Sequence, residues 1–389
     1  MSADAVIKTQ DKNGIIKMER KGGLQGIVAA TTAISRVDGE AGKLIYRGYS
    51  IHDLVRGGAT FEEVVYLLWQ GWLPNPSELA KFKVDLAACR EMPVAVLETL
   101  KLMPATTEPM NALRTAISVW GAKANLNERA TKEEVMRLTA SVPVWLAAFQ
   151  RLRSGLAPLE PKTELGHAAN YLYMVTGQIP EPVHEQVLDA YMVMLADHDM
   201  NASTFTARVV ASTWSDLASC VTAAVGALKG PLHGGAPGKV LQMLEAIGTA
   251  AYAESWLRRA LAHGERVMGF GHRMYKTEDP RAIELHRLSR LAATPELFEL
   301  AETVERVALE ILHEHRPEER IYTNVEFYSA TLLHAVGLPG DMFTPTFAIA
   351  RTAGWTAHIL EQLGNNRLIR PEAEYTGALA STYVPLTQR

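Results

Sequence analysis

The sequence predicts an all-α fold with one short β-hairpin near its N-terminus. Three observations carry this. From His52 onward, apolar residues recur at helical spacing rather than in alternation. Proline and glycine punctuate most of these runs. Only one pair of runs, close to the N-terminus, reads as paired strands.

Taken in order, residues 1–23 are polar and read as a flexible or loosely docked arm. Residues 31–37 and 43–46, with a turn at Asp38 and Gly39, form the hairpin. The apolar stripe of 61–72 stops before Pro74, and 110–124, 132–153 and 183–200 follow the same pattern. Residues 125–131 and 154–163 are loops. The run 202–228, mostly Ala, Ser, Thr and Val, is long enough to span a bilayer. Arg208, Asp216 and many hydroxyls make lipid exposure costly, so it reads as one buried helix suited to close helix–helix contact. Residues 240–262 are helical, with candidate breaks at Gly248 and near Gly264. Helices over 282–293, 296–315, 324–336 and 344–363 complete the chain before a turn-rich tail from Arg370 to Arg389.

At 389 residues the chain is long enough for two or three domains. A net charge of −4 without a basic block argues against nucleic acid as a partner. Cys89 and Cys220 offer neither metal spacing nor a disulfide framework, which fits a reducing cytoplasm. The N-terminus carries Asp4, Asp11 and Glu19 and no apolar core, so it reads as neither a secretory signal nor a transit peptide.

The chain is organised around 230–281. This stretch opens with Gly-Pro-Leu-His-Gly-Gly-Ala-Pro-Gly and closes with Met-Gly-Phe-Gly-His-Arg-Met-Tyr-Lys-Thr-Glu-Asp-Pro-Arg. His233 and His272 therefore sit in glycine-rich turns at opposite ends of a helical run. An unbroken helix of that length would hold its ends roughly 35 Å apart, so a shared site requires a break or a fold-back. Glycine beside histidine lets the backbone approach a ligand. A helix N-terminus disfavours imidazolium, and a neutral imidazole can donate one hydrogen bond to an enolate. Each histidine taken singly also fits a turn residue satisfied by backbone.

These two segments resemble the signatures of the citrate synthase family, and the similarity extends over nearly the whole chain. The resemblance implies a large helical domain of 1–235 and 333–389, a small domain of 236–332, and a site in the cleft between them. It implies an Si-type acyltransferase that condenses acetyl-CoA with oxaloacetate at the entry to the tricarboxylic acid cycle. The coenzyme A thioester is then a substrate, and neither a metal nor a redox cofactor is expected. By position, His233 holds the thioester oxygen, and His272 polarises the oxaloacetate ketone. His198, Arg281, Arg351 and Arg370 bind the oxaloacetate or citrate carboxylates. Arg370 reaches a partner's site in a cytoplasmic homodimer without membrane contact. Val267, Met268, Gly269, Phe270, Gly271, Arg273 and Lys276 fall where the family meets coenzyme A. Singly, His198, Arg351, Arg370 and Lys276 each also fit ordinary packing or surface roles.

One position departs from the family pattern. Asn324-Val-Glu-Phe-Tyr places Glu326 where an Asp usually takes the methyl proton. The extra methylene can move the carboxylate by more than ~1 Å, a shift that can cost about 10²-fold in rate. Glu326 is expected to be the base, on a backbone adjusted to it. Two other readings stay open: a 2-methylcitrate synthase using propionyl-CoA, and a non-catalytic dimer that binds coenzyme A or a dicarboxylate.

Overall fold

The computed structural model describes residues 6–10, 16–20, 23–24, 26–234, 237–272 and 274–389. They fall in two compact units, Met1–Ala33 and Ile34–Arg389. In the first, β1 (Val6–Gln10) pairs antiparallel with β2 (Ile16–Arg20), with Val6 opposite Arg20. The expected polar arm thus contains strands. The sequence between them holds Asn13-Gly14, the strongest two-residue hairpin signal. Five-residue strands with so many polar side chains hid it.

The second unit opens with β3 (Ser35–Asp38), β4 (Lys43–Tyr46) and β5 (Tyr49–Ser50) in one antiparallel sheet. This is the expected hairpin, starting at Ser35 rather than at residue 31. Helices make up nearly all the rest. Ser50 caps α1 (Ile51–Arg56), and Thr60 caps α2 (Phe61–Gln70). A capping box of Asn75 and Glu78 starts α3 (Pro76–Ala88), and α4 (Val94–Lys101) and α5 (Pro109–Lys123) follow. Thr131 and Glu134 cap α6 (Lys132–Arg153) in the same reciprocal way. Next come α7 (His167–Thr176) and α8 (Pro182–Leu195).

Helix α8 ends five residues earlier than the sequence suggested, leaving 196–201 irregular. The single helix expected over 202–228 is two, α9 (Ala202–Ser212) and α10 (Leu217–Lys229). Trp214 between them has φ +64, and the Asp216 side chain accepts from the Ser219 N–H to start α10. The Asp216 cap was visible in the sequence but was masked by the uniform small-residue composition around it.

The run expected to break does so. Helix α11 (Pro237–Ile247) stops at Gly248, φ +74; a 3₁₀ turn follows, and α12 (Ala253–Ala262) runs on to the Gly264 turn. Then come α13 (Pro280–Ala292), α14 (Pro295–His315), α15 (Val325–Ala335) and α16 (Phe343–Gly364).

Helix α16 is the axis of the core. Its buried residues run from Phe343 to Gln362 and include Trp355, and it packs on α2, α6, α8, α9 and α10. A helix buried nearly all round is enclosed by others, and its buried polar groups, Arg351 and His358 among them, must find partners there. Each large side chain buried there stabilises by about 1.5–3 kcal/mol. Among the described residues, no helix is long and apolar enough to cross a membrane.

Candidate active site

The site begins on one face of α16. Arg351, Gly354 and His358 lie three and four residues apart, and so project from the same side. The irregular stretch after α8 lies along that face. Arg351 Nε donates to Leu195 O at 2.8 Å, the Gly354 N–H to Ala196 O at 3.0 Å, and His358 Nε2 to Asp197 Oδ2 at 3.1 Å. A Cβ at Gly354 would collide with Ala196 O and Asp197. Only glycine lets the chain come this close, and the approach places His198 beside Arg351.

Strand β3 and β4 side chains brace the same stretch. Ser35 Oγ donates to Asp197 Oδ2, and Tyr46 Oη donates to Met194 O at 3.0 Å and Asp197 O at 2.9 Å. Burial alone would raise the Asp197 carboxyl, but His358, Arg351 and Ser35 together hold it below the usual carboxylate range. The hairpin turn supports a second segment. Gly39 O accepts from the Lys276 N–H at 2.9 Å, and a Cβ at Gly39 would strike Met274 O.

That second segment carries His272 and Arg281. His272 Nδ1 accepts from the N–H groups of Met274 at 2.9 Å and Tyr275 at 3.1 Å. A ring nitrogen that accepts cannot carry the proton, so neutral His272 bears it on Nε2. Burial, with Arg281 nearby, pushes His272 down to about 4. Arg281 Nη2 stands 3.4 Å from that Nε2, so two donors converge there. Its Nε and Nη2 also engage both oxygens of Asp279, at 3.0 and 2.8 Å, and both side chains are buried. Tyr275 joins this group to His198: its ring centroid is 4.7 Å from that of His272, and its hydroxyl lies 3.2 Å from His198 Nε2. Burial first, then Arg281 and Arg351, drives His198 well below its ordinary value.

His233 lies in the turn after α10, with its N–H donating to Gly230 O at 2.9 Å. The helix N-terminus aimed at it is that of α9. Ser203, in the first turn of α9, points its N–H at His233 Nε2 from 3.2 Å, and its Oγ lies 2.9 Å from the same atom. Trp355 Nε1 donates to that Oγ at 3.0 Å. Ser203 Oγ donates to Asn201 Oδ1 at 2.8 Å, and the backbone N–H, shared with the same oxygen at 3.1 Å, makes Nε2 an acceptor and leaves the ring proton on Nδ1. Burial, with Arg351 second, pushes His233 down to about 4.

Glu326 sits in the first turn of α15, whose cap is Asn324. Asn324 also ties this helix to the glycine loop before His272. Its N–H donates to Gly269 O at 3.0 Å and its Nδ2 to Gly271 O at 2.9 Å. Gly269 at φ +91 and Gly271 at φ +79 make the loop possible, and a Cβ at Gly269 would meet Phe327. Burial raises the Glu326 carboxyl to about 7 despite the pull of Arg281 and Arg266.

Burial pulls Arg351 down to about 10, with Asp197 opposing, and its buried Nη2 has no hydrogen-bond partner among the described residues. A buried donor of this kind suits an acceptor such as a carboxylate oxygen. Hydrogen bonds and mutual electrostatic influence thus link His198, His233, His272, Arg281, Arg351 and Glu326; His198, Arg281 and Arg351 are buried, and His233, His272 and Glu326 are half-buried. Val267, Gly269 and Phe270 are buried in the loop before His272, Met268 and Gly271 are half-buried, and Lys276 is exposed. Arg273 lies outside the described residues, as do 235 and 236 at the expected domain boundary.

Arg370 does not join this group within one chain. The Ile369 N–H is fixed to Ser212 Oγ at 3.0 Å, at the far end of α9 from Ser203. Nine residues of helix separate those ends by about 13 Å, and the Arg370 side chain is exposed. Sequence reasoning passed over Ser203, Asn324, Asp279, Tyr275, Asp197 and the hairpin residues. Only the S/T/N/D caps at helix starts gave any signal for some of them.

The sequence model described as citrate synthase, C-terminal domain, matches residues 23–372. Citrate synthase 2 of Bacillus subtilis is 44% identical over 94% of this chain and 98% of its own length. The 2-methylcitrate synthase of Shewanella oneidensis is 37% identical over 94% and 97%. The crystal structure of Thermotoga maritima citrate synthase superposes with a TM-score of 0.83 at 39% identity, covering 96% of this chain and 99% of that one. A ternary complex of the Thermoplasma acidophilum enzyme with carboxymethyl coenzyme A and oxaloacetate gives 0.86 at 29% identity, over 94% and 98%.

Proposed function

Because the chain belongs to the citrate synthase family and is an acyltransferase of that type, we propose that the pocket joins acetyl-CoA to oxaloacetate and releases citrate and CoA. The observation that carries this is the pair of histidines, both neutral and each fixed in a defined tautomer by backbone N–H groups. Two carbonyl oxygens, one on each substrate, need one such donor each.

The steps follow from the side chains. Glu326 takes a proton from the thioester methyl while His233 Nδ1–H stabilises the oxygen of the enol that forms. The methyl carbon then bonds to the oxaloacetate ketone carbon. The ketone oxygen receives its proton from His272 Nε2–H, at the point where Arg281 Nη2 also converges. Arg281, Arg351 and His198 hold the carboxylates, with Arg351 Nη2 supplying an unused donor. Water then cleaves the citryl thioester. The sequence needs no oxidant or reductant, since the thioester supplies the driving force as a substrate.

We assign coenzyme A to Val267–Gly271 together with Arg273 and Lys276. Residues 236–332 serve as the smaller body, closing on the rest to exclude water during enol formation. Arg370 comes from the other copy of a homodimer, supported by its tether at the far end of α9. The two free cysteines support a reducing cytoplasm, where the product would enter the tricarboxylic acid cycle.

The test is thiol release from acetyl-CoA and from propionyl-CoA, each with oxaloacetate. Faster release from acetyl-CoA is expected. A preference for propionyl-CoA would make the enzyme a 2-methylcitrate synthase, and no release from either would remove the catalytic reading.

A further inference from the structure

A cleft of about 510 Å³ opens where α1, α8 and α13 meet, lined by Val55, Arg56, Gly58, Gln186 and Arg287. Its size lies within the ~300–1,000 Å³ range of small-molecule sites. Both lining arginines are tied to Glu284, whose side chain is fully buried. One carboxylate oxygen accepts from His52 Nδ1 at 2.8 Å and Arg56 Nε at 2.7 Å; the other accepts from Arg287 Nε at 2.9 Å. Burial alone would raise this carboxyl, but those three donors hold it below the ordinary range, so it stays ionised.

Both arginines meet Glu284 through Nε. Among the described residues no group engages their terminal nitrogens, and the side chains are 61% and 45% exposed. Two guanidinium charges stand against one carboxylate, which leaves a positive excess at the rim. Guanidinium edges recognise carboxylate and phosphate oxygens in a two-point fork. The pair is also preorganised, because one buried anion fixes both side chains and removes much of the entropy cost of ordering them on binding.

We propose that this cleft binds a compact multivalent oxyanion, bearing phosphate or carboxylate groups, between the outer edges of Arg56 and Arg287. The site is separate from the pocket described above but mechanically close to it. Arg281, Glu284 and Arg287 are successive members of one i, i+3 row on α13. An anion bridging Arg56 and Arg287 would tie α1 to the helix that carries Arg281.

The experiment is titration calorimetry at constant ionic strength, with pyrophosphate and, separately, tricarballylate as probes. The proteins are the wild type, Arg56→Gln, Arg287→Gln and, as a control for anions entering the active pocket, Arg351→Gln. At least one probe is expected to bind wild type, to weaken roughly tenfold or more in each cleft variant, and to keep its affinity in Arg351→Gln. Binding of pyrophosphate identifies a phosphate-bearing ligand, and binding of tricarballylate a carboxylate-bearing one; either supports the site. If a Gln variant loses its helical circular dichroism, the Arg→Lys variant, which keeps charge but not the fork, is expected to show the same weakening. Absence of binding to wild type, unchanged affinity in the cleft variants, or loss only in Arg351→Gln overturns the proposal. No turnover is measured, so the result stands apart from the reaction assigned above.

Discussion

The Ser203 N–H lies 3.2 Å from Nε2 of His233, and this contact decides which nitrogen of the imidazole bears the proton. A backbone N–H is always a donor, so Nδ1–H is what the ring can offer. Losing a donor to a developing oxyanion costs about 10²–10³ in turnover. His233→Ala is expected to lower kcat by that order while oxaloacetate affinity, measured by equilibrium dialysis, stays nearly unchanged. A kcat within about tenfold of wild type would remove His233 from the chemistry.

Glu326 must be ionised to take a proton, and burial raises its carboxyl to about 7. On the acid side, kcat/KM is expected to rise with pH and level off above an apparent pKa near that value, as a pH–rate profile would show. Stability runs the other way. A carboxyl whose folded pKa lies above its unfolded value favours the fold at low pH, and this advantage is lost as pH rises through the folded pKa. Glu326→Gln should therefore stabilise the protein by about 1–3 kcal/mol at pH 8. At pH 4 the gain should vanish in urea unfolding, and activity should be lost at either pH.

Glu326→Asp restores the residue more usual in the family motif but shortens the reach of the base. On this backbone, a shift of about 1 Å is expected to cost on the order of 10²-fold in kcat. Steady-state kinetics with acetyl-CoA that equalled or exceeded wild type would show that the backbone is not adjusted to Glu.

Asp279 neutralises Arg281 where both side chains are nearly inaccessible. Asp279→Asn leaves a buried cation with a poorer partner, and a loss of about 3–5 kcal/mol is expected in urea unfolding. Burial would raise the Asp279 carboxyl, but Arg281 holds it below the usual range. The pair's contribution is thus present above the ordinary Asp value and lost as pH falls through the depressed one. The gap between wild type and variant should narrow in acid. A gap that widens there would contradict the pairing.

Gly354→Ala puts a methyl group against Ala196 O and Asp197. A cost of about 1–3 kcal/mol is expected from overpacking in thermal unfolding. The 195–198 stretch should also move off α16, and KM for oxaloacetate should rise more than KM for acetyl-CoA. Equal changes in both would mean that the stretch does not bear on the oxaloacetate side.

The helical class and the break at Gly248 were legible because helix periodicity and glycine are local signals. Arg281, Arg351, His198, His233, His272 and Glu326 were legible as a set through their order and motif context, and the structure gathers them in one region. What supports them was not. Ser35 meets Asp197 across 162 positions and Trp355 meets Ser203 across 152, and no sequence window sees such pairs. Asp216 shows the reverse failure: a local stop-and-start signal was present, but uniform small-residue composition overruled it. Helices α3, α4 and α7 were missed, although Asn75-Pro76 and the Asn75–Glu78 box mark the start of α3.

Residues 195–197 each engage a different rung of α16, at Arg351, Gly354 and His358. That makes the helix a vernier: its screw pitch sets where an otherwise shapeless strand comes to rest. Inserting a single residue between Arg351 and Gly354 would turn one mark against the other by about 100°, and no side-chain repacking could restore the alignment. Length changes that drift into this lineage should therefore collect in surface loops and spare the interval from Arg351 to His358. Anyone transplanting the pocket onto another scaffold must carry the helix and its facing strand together, because neither retains the measurement alone.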